Sequence, residues 1–206
     1  MKDYIDVSRY QGTIDWEQVK NKVGGAMLKT VSTNKSFGGI YIDPTFERNY
    51  QECKRLGIPV GVYYYTYAQT PERVAEELAK LREALTGKTF ELPVTVDVED
   101  NKLKPLSADA LTDLVISAAD AIENWGLYAM VYTYTSYSNT ELNMDRLAAY
   151  DLWIADYRGK RPARKHGMWQ YTSTGSLPGI NGDVDMNHVY KNYPSIIKRA
   201  GLTQMK

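Results

Sequence analysis

Four carboxylates fall at strand positions in this chain: Asp6 in YIDVS, Asp97 and Glu99 in VTVDVED, and Asp185 in GDVDMN. From Val94 to Glu99, valines alternate with polar residues. Side chains on a strand alternate faces, so Thr95, Asp97 and Glu99 share one face and the valines the other. Two acids spaced in this way lie roughly 6.6 Å apart at their Cα atoms, from a rise of ~3.3 Å per residue. Crowding like charges on an otherwise apolar strand raises the proton affinity of at least one of them. A general acid working near neutrality needs that property. Asp100 falls on the opposite parity and is expected in solvent.

The elements that must position these acids can be read along the chain. Tyr4–Val7 is a short strand, and Asp15 caps a helix over 16–22. A second strand is expected over 26–30. Asp43 and Pro44 open a helix that Gly57 ends. A third strand covers 59–65. Thr70 and Pro71 repeat the cap signal before helical spacing at Val74, Leu78, Leu81 and Leu85. A fourth strand covers 93–99. Ser107 caps a helix that runs to about Trp125 and stops at Gly126. A fifth strand over 128–133 precedes a helix expected near 144–150. Strands then follow at 152–155, 168–171 and 184–187, joined by segments without helical periodicity, and Tyr193–Ala200 reads as a closing helix. Five strand–helix units and three further strands make eight, enough to close a barrel. The full eightfold (β/α) barrel takes ~250 residues, so a trimmed form suits this length. Such barrels carry their active sites at the carboxyl ends of strands. There Asp6, Glu99 and Asp185 converge once the eighth strand meets the first.

Composition bounds the function. The 206 residues are 43% hydrophobic and 24% charged, an ordinary globular balance, and are expected to form one domain over 1–206. Lys plus Arg and Asp plus Glu each total 25, so no global basic field gathers nucleic acid. No apolar run approaches the ~18 residues needed to cross a bilayer, so no membrane partner is expected, and the chain is expected to act as a monomer. The N-terminus lacks the apolar segment of a signal peptide. Export would then use another route, or a leader has been removed. Cys53 stands alone, without a disulfide or a cysteine metal cluster, and reads as a small core residue. His166 and His188 lie far apart and read as solvated or capping residues, so no metal site is expected. There are 17 Tyr and 4 Trp against 3 Phe. Tyr and Trp combine a flat apolar face with a hydrogen-bonding tip, a balance that suits stacking on sugar rings.

The segments IDVSRYQGTIDW, DPTFERNYQECKRLGIPVGVYYYTYA, PVTVDVED, YAMVYTY, LWIADY and WQYTSTGSLPGINGDVDMN, in that order, resemble the family-25 glycoside hydrolases, the lysozymes (muramidases) of phage and bacterial lysins. The resemblance implies a (β/α)5(β)3 barrel. It implies hydrolysis of the β-1,4 bond between N-acetylmuramic acid and N-acetylglucosamine in peptidoglycan, with no cofactor required, acting on the cell wall either outside the cell or after release during lysis. By motif, Glu99 resembles the general acid, Asp6 the acid of the first strand, and Asp97 and Asp185 two supporting carboxylates. Tyr63-Tyr64 departs from the Tyr-His common after the third strand, and the segment 29–34 departs from the Gly- or Glu-containing patterns common after the second.

The role of Asp6 stays open at this point among nucleophile, base and electrostatic stabiliser. Substrate-assisted retention is the favoured mechanism. Two other readings compete: a carbohydrate-binding barrel without catalysis, and a hydrolase of chitin-type chains. Tyr63, Tyr132, Trp153, Tyr157, Trp169 and Gln11 are the expected substrate contacts, with Gln170 a further polar candidate. Arg158, Lys160, Arg161, Arg164 and Lys165 form the one local basic run. It reads either as a solvated loop or as a contact for anionic wall polymer.

Overall fold

The computed structural model describes residues 2–206. Its strands are β1 (Tyr4–Val7), β2 (Gly25–Lys29), β3 (Val31–Asn34), β4 (Gly39–Ile42), β5 (Val60–Tyr65), β6 (Val94–Asp97), β7 (Ala129–Tyr134), β8 (Asp151–Ala155), β9 (Met168–Gly175) and β10 (Val184–Val189). The helices are α1 (Trp16–Val19), α2 (Phe46–Arg55), α3 (Pro71–Leu85), α4 (Ala108–Asn124), α5 (Thr135–Thr140) and α6 (Tyr193–Ala200). Eight of the strands close a barrel in the order β1-β10-β9-β8-β7-β6-β5-β2. All neighbours run parallel except β10, which is antiparallel to both β9 and β1. One helix follows each of the first five barrel strands and none separates the last three, so this is the trimmed (β/α)5(β)3 barrel. Among the described residues no helix is long and apolar enough to cross a membrane.

Strand alternation sorts the side chains into two cores. Val94, Val96, Val60, Val62, Ala26 and Leu28 point outward and pack under the helices, with Leu81, Leu85, Val115 and Ile122 among the helical partners. Met27, Tyr63, Met130, Tyr132, Trp153 and Met168 point inward and fill the barrel. Gly61 occupies an inward position where a Cβ would come within 2.6 Å of both Leu92 Cβ and Met27 Sδ, so a larger residue would push that layer apart. Tyr193 and Ile197 of α6 join Tyr4 and Leu92 at the amino-terminal end and close the bottom of the barrel.

The caps at Asp15, Thr70 and Ser107 form as the sequence patterns suggest. Thr70 Oγ1 accepts from Arg73 N with Pro71 at the first helical position, and Ser107 caps α4. Three expectations need correction. First, α1 is shorter than expected and ends at Val19. Second, 144–150 forms successive i→i+3 turns rather than a helix, and the helix after β7 is α5 instead. The sequence of α5, Thr-Ser-Tyr-Ser-Asn-Thr, has poor helix formers throughout, and Ser138 and Thr140 bond back to carbonyls one turn earlier. Third, α2 opens at Phe46 behind Thr45, which makes no side-chain cap bond, rather than at Asp43-Pro44; ahead of it lies an element that was not expected, the β3–β4 hairpin, with Val31 opposite Ile42. Gly38 and Gly39 take the positive φ that its turn requires.

Candidate active site

The barrel mouth opens into a cleft of about 470 Å³, within the range of small-ligand pockets. Asp6, Asp97, Glu99 and Asp185 all line it, together with Gln11, Tyr63, Tyr132, Trp153 and Tyr157. Trp169 is the one expected contact placed elsewhere. It points outward from β9, packs on Ile154 and Leu152, and donates from Nε1 to Asp156 O at 2.8 Å. The parity of β9 decides this: Met168 and Gln170 face in, so Trp169 and Tyr171 face out. Gln170 therefore takes the inward place. Asp100 is not fully solvated. It is half-buried, accepts from the Tyr65 hydroxyl at 3.1 Å and caps a short 3-10 turn. His166 is buried, not solvated, and its ring bonds Arg164 O.

Regular pairing of β6 ends at Asp97, and Glu99 sits two residues beyond it on the rim, continuing the inward parity. Thr95 and Asp97 are buried inside the barrel. Asp97 Oδ1 and Glu99 Oε2 are buried without a hydrogen-bond partner among the described residues. Burial makes the ionised form of each unfavourable. It pushes Glu99 up to about 7, helped by the charges of Asp100 and Asp185 and opposed by the Tyr132 hydroxyl and the Lys29 ammonium. Asp97 rises well above the ordinary carboxylate range, again through burial first and the charge of Glu99 second.

Asp6 and Asp185 form a second pair. They are direct partners across β1 and β10. Asp6 rises well above the ordinary range through burial and the charge of Asp185. Burial pushes Asp185 up only to about 6, its interaction with Asp6 opposing the rise. Asp6 Oδ2 also accepts from Asn187 Nδ2 at 2.8 Å and from Gln170 Nε2 at 2.9 Å. Asn187 Oδ1 accepts from Trp153 Nε1 at 2.7 Å, and Gln170 Oε1 accepts from the hydroxyls of Tyr132 at 2.8 Å and Tyr157 at 2.6 Å. One network thus fixes Asp6, two aromatic walls and the rim tyrosine Tyr157.

Sequence reasoning missed Asn187 and Lys29. Asn187 shares the inward parity of Asp185 two residues away, which was the available signal. Lys29 ends β2 on the inward face, and its Nζ lies 4.9 Å from the centre of the Tyr65 ring. Among the described residues no cation forms an ion pair with any of the four carboxyls. The cleft can therefore hold a proton ready at Glu99 near neutrality, beside a set of carboxyls that are partly protonated and titrate together.

The chain matches the family model described as Glycosyl hydrolases family 25 over residues 5–180. It is 30% identical over 185 residues to an autolytic lysozyme of Clostridium acetobutylicum, a match covering 89% of this chain and 54% of that protein. The chain thus spans about half the length of that relative. A bacterial lysozyme from Streptomyces coelicolor superposes with a TM-score of 0.80 at 25% identity, covering 97% of this chain and 96% of the other. The modular autolysin LytC from Streptococcus pneumoniae, solved in complex with a synthetic peptidoglycan ligand, superposes with a TM-score of 0.77 at 28% identity over 90% of this chain and 46% of LytC.

Proposed function

The chain belongs to the family 25 glycosyl hydrolases, and we propose that it cleaves the β-1,4 bond between N-acetylmuramic acid and N-acetylglucosamine in bacterial peptidoglycan, acting on the cell wall as one catalytic barrel. The observation that carries this reading is the convergence of four carboxyls without ion-pair partners on an aromatic-walled cleft, with Glu99 titrating near 7.

Glu99 donates its proton to the glycosidic oxygen as the bond to the anomeric carbon breaks. In the substrate-assisted course, the carbonyl oxygen of the substrate's N-acetyl group attacks that carbon from the opposite face and forms a cyclic oxazolinium. Asp97 lies beside Glu99, where its carboxyl oxygen can accept a hydrogen bond from the acetamido N–H and orient the carbonyl for attack. Asp185 is the supporting acid that ionises most readily, and it stabilises the oxocarbenium-like centre. Water then adds to the anomeric carbon while the Glu99 carboxylate takes its proton, which reopens the ring with net retention. Asp6 is held by Asn187 and Gln170 and serves as the fixed partner of Asp185.

The test is digestion of purified cell walls and of chitin by wild type and by Glu99→Gln, with the anomeric form of the first product read by NMR. Release of new reducing ends from walls as the β-anomer is expected from wild type alone. An initial α-anomer would overturn retention, and preferential digestion of chitin would overturn the substrate.

A further inference from the structure

Among the described residues, Tyr10, Phe37 and Tyr157 are three of the four most exposed large apolar side chains, Tyr10 at 73% exposure and Phe37 at 43%; Tyr10 and Tyr157 line the cleft, and Phe37 neighbours Tyr10 through Arg9. Single exposed rings are ordinary, but a contiguous patch marks a contact surface. Arg9 gathers two of these rings: its guanidinium carbon lies 4.5 Å from the centre of Tyr10 and 5.2 Å from that of Phe37. Its Nη2 donates to the Tyr10 hydroxyl at 3.1 Å, and its backbone N–H donates to Asp43 at 3.0 Å. Phe37 stacks on Tyr41 with centroids 4.3 Å apart and planes 13° apart. Tyr65 and Tyr67, whose centroids are 4.9 Å apart, carry the aromatic surface into the cleft.

The topology explains the direction. Tyr10 follows β1, the β3–β4 hairpin follows β2, and Tyr65 and Tyr67 end and follow β5. These three strands are neighbours in the barrel. Tyr134 and Tyr157 rise from β7 and β8 on the other side of Glu99. The cleft runs across the mouth between these two sides, and its β1–β5 edge, at Tyr10 and Tyr67, borders the hairpin, whose own residues do not line it.

We propose that the exposed rings of Tyr10 and Phe37, gathered round Arg9 and with Phe37 backed by the buried Tyr41, form a sugar-stacking platform that binds a distal pyranose ring of a long glycan strand. This rests on the peptidoglycan reading above and deepens it. Flat apolar ring faces match the C–H face of a pyranose, while the tyrosine hydroxyls and the Arg9 donors meet the polar groups at its edge. The platform favours long strands because short fragments fill the cleft without reaching the hairpin.

The measurement is kcat/KM on long peptide-free glycan strands and on a peptide-free tetrasaccharide, for wild type, Phe37→Ala and Phe37→Tyr. Phe37 is exposed at a hairpin tip, so both variants should fold. Phe37→Ala is expected to lower the long-to-short preference about fivefold, equivalent to about 1 kcal/mol and the size of one aromatic stacking contact, and Phe37→Tyr to keep it. In a Glu99→Gln background, calorimetry should show the same fivefold weakening of long-strand binding. An unchanged preference, an equal loss on both substrates, or an effect confined to peptide-bearing strands would overturn the platform. Were wild type to cleave neither substrate, the hydrolase reading would fail while the binding arm still decides the platform.

Discussion

Replacing Glu99 by Gln should move activity and stability in opposite directions. The carboxamide keeps the shape of the side chain but has no proton to give. General acid catalysis contributes roughly a hundred- to ten-thousandfold, so kcat on cell walls should fall about a thousandfold, or about 4 kcal/mol of barrier. The aromatic walls and the other carboxyls remain, so KM should stay within about threefold. Stability runs the other way. Burial makes Glu99 ionise near 7, above its ordinary 4.5. Between those pH values the native protein binds more protons than the unfolded chain, so wild type loses stability as pH rises through that window. The variant has no such group. The stability difference between the two proteins should therefore be smallest near pH 4. It should grow in favour of the variant up to pH 8, by at most about 3 kcal/mol. Coupling to Asp97 and Asp185 spreads this change over a wider pH range than a single group would show. The assays are denaturant midpoints at pH 4, 6 and 8, with unchanged slopes, beside reducing-end release from walls. A difference that does not grow between pH 4 and 8 would refute the buried-acid argument, and wall digestion above a tenth of the wild-type rate would remove Glu99 as donor.

Lys29→Met removes the one cation that opposes the rise at both Asp97 and Glu99. The alkaline limb of kcat/KM should therefore shift to higher pH, and a limb that stays or falls contradicts that role. Asn187→Leu keeps the branching at Cγ in a fully buried position, though with more bulk, and strips Trp153 Nε1 of its acceptor and Asp6 of a donor. A loss of about 1–3 kcal/mol in a denaturant titration is expected, and a change under about 0.5 kcal/mol would show that the network is slack. Arg158 is already paired with Asp156. Neutralising Lys160, Arg161, Arg164 and Lys165 together should weaken sedimentation with purified walls at low salt and make no difference at high salt. Unchanged binding and salt dependence would leave the loop as a solvated surface.

Most of the barrel was legible because its strands carry period-two patterns and its helices carry caps. The Val94–Glu99 alternation, Thr70-Pro71 before α3 and Ser107 before α4 are local signals that the tertiary structure leaves in place. The misses have physical causes. The β3–β4 hairpin is two four-residue strands outside the barrel, and its turn signal, Phe37-Gly38-Gly39 between β-branched runs, lies beyond the 29–34 segment that stood out only as a departure from the family pattern. The 144–150 segment carries apolar residues at helical spacing but is too short to hold a helix, and its side chains settle on the barrel from i→i+3 turns. In the site, acids of distinctive spacing were readable, whereas Asn187 and Lys29 act through where their strands place them. Trp169 shows the cost of judging an aromatic by type alone, since one step in register separates the cleft from the outer wall.

The direction of β10 accounts for the crowding of acids at the mouth. In a wholly parallel barrel every strand brings its carboxyl end to the active face. Because β10 runs against β1, its start lies there instead, and Asp185 comes to rest opposite Asp6. Side chains directly opposed in such a pair are about 4.5–5.5 Å apart at Cβ, close enough for two full charges to repel strongly. A shared proton removes that repulsion, and the neutral donors of Asn187 and Gln170 serve Asp6 where a cation would otherwise sit. The same economy holds at Asp97 and Glu99, where Lys29 moderates the field without closing onto either acid. An ion pair at Glu99 would have to break before its proton could move, and it would hold the group ionised at neutral pH. A cleft that stores protons in place of counter-ions avoids both penalties. Introducing a lysine at Ser173, which lines the cleft, should therefore lower the alkaline limit of activity even though it adds charge complementarity to the acids. A pH profile unmoved by that lysine would mean that burial alone, and not the absence of a paired cation, sets the proton affinity of Glu99.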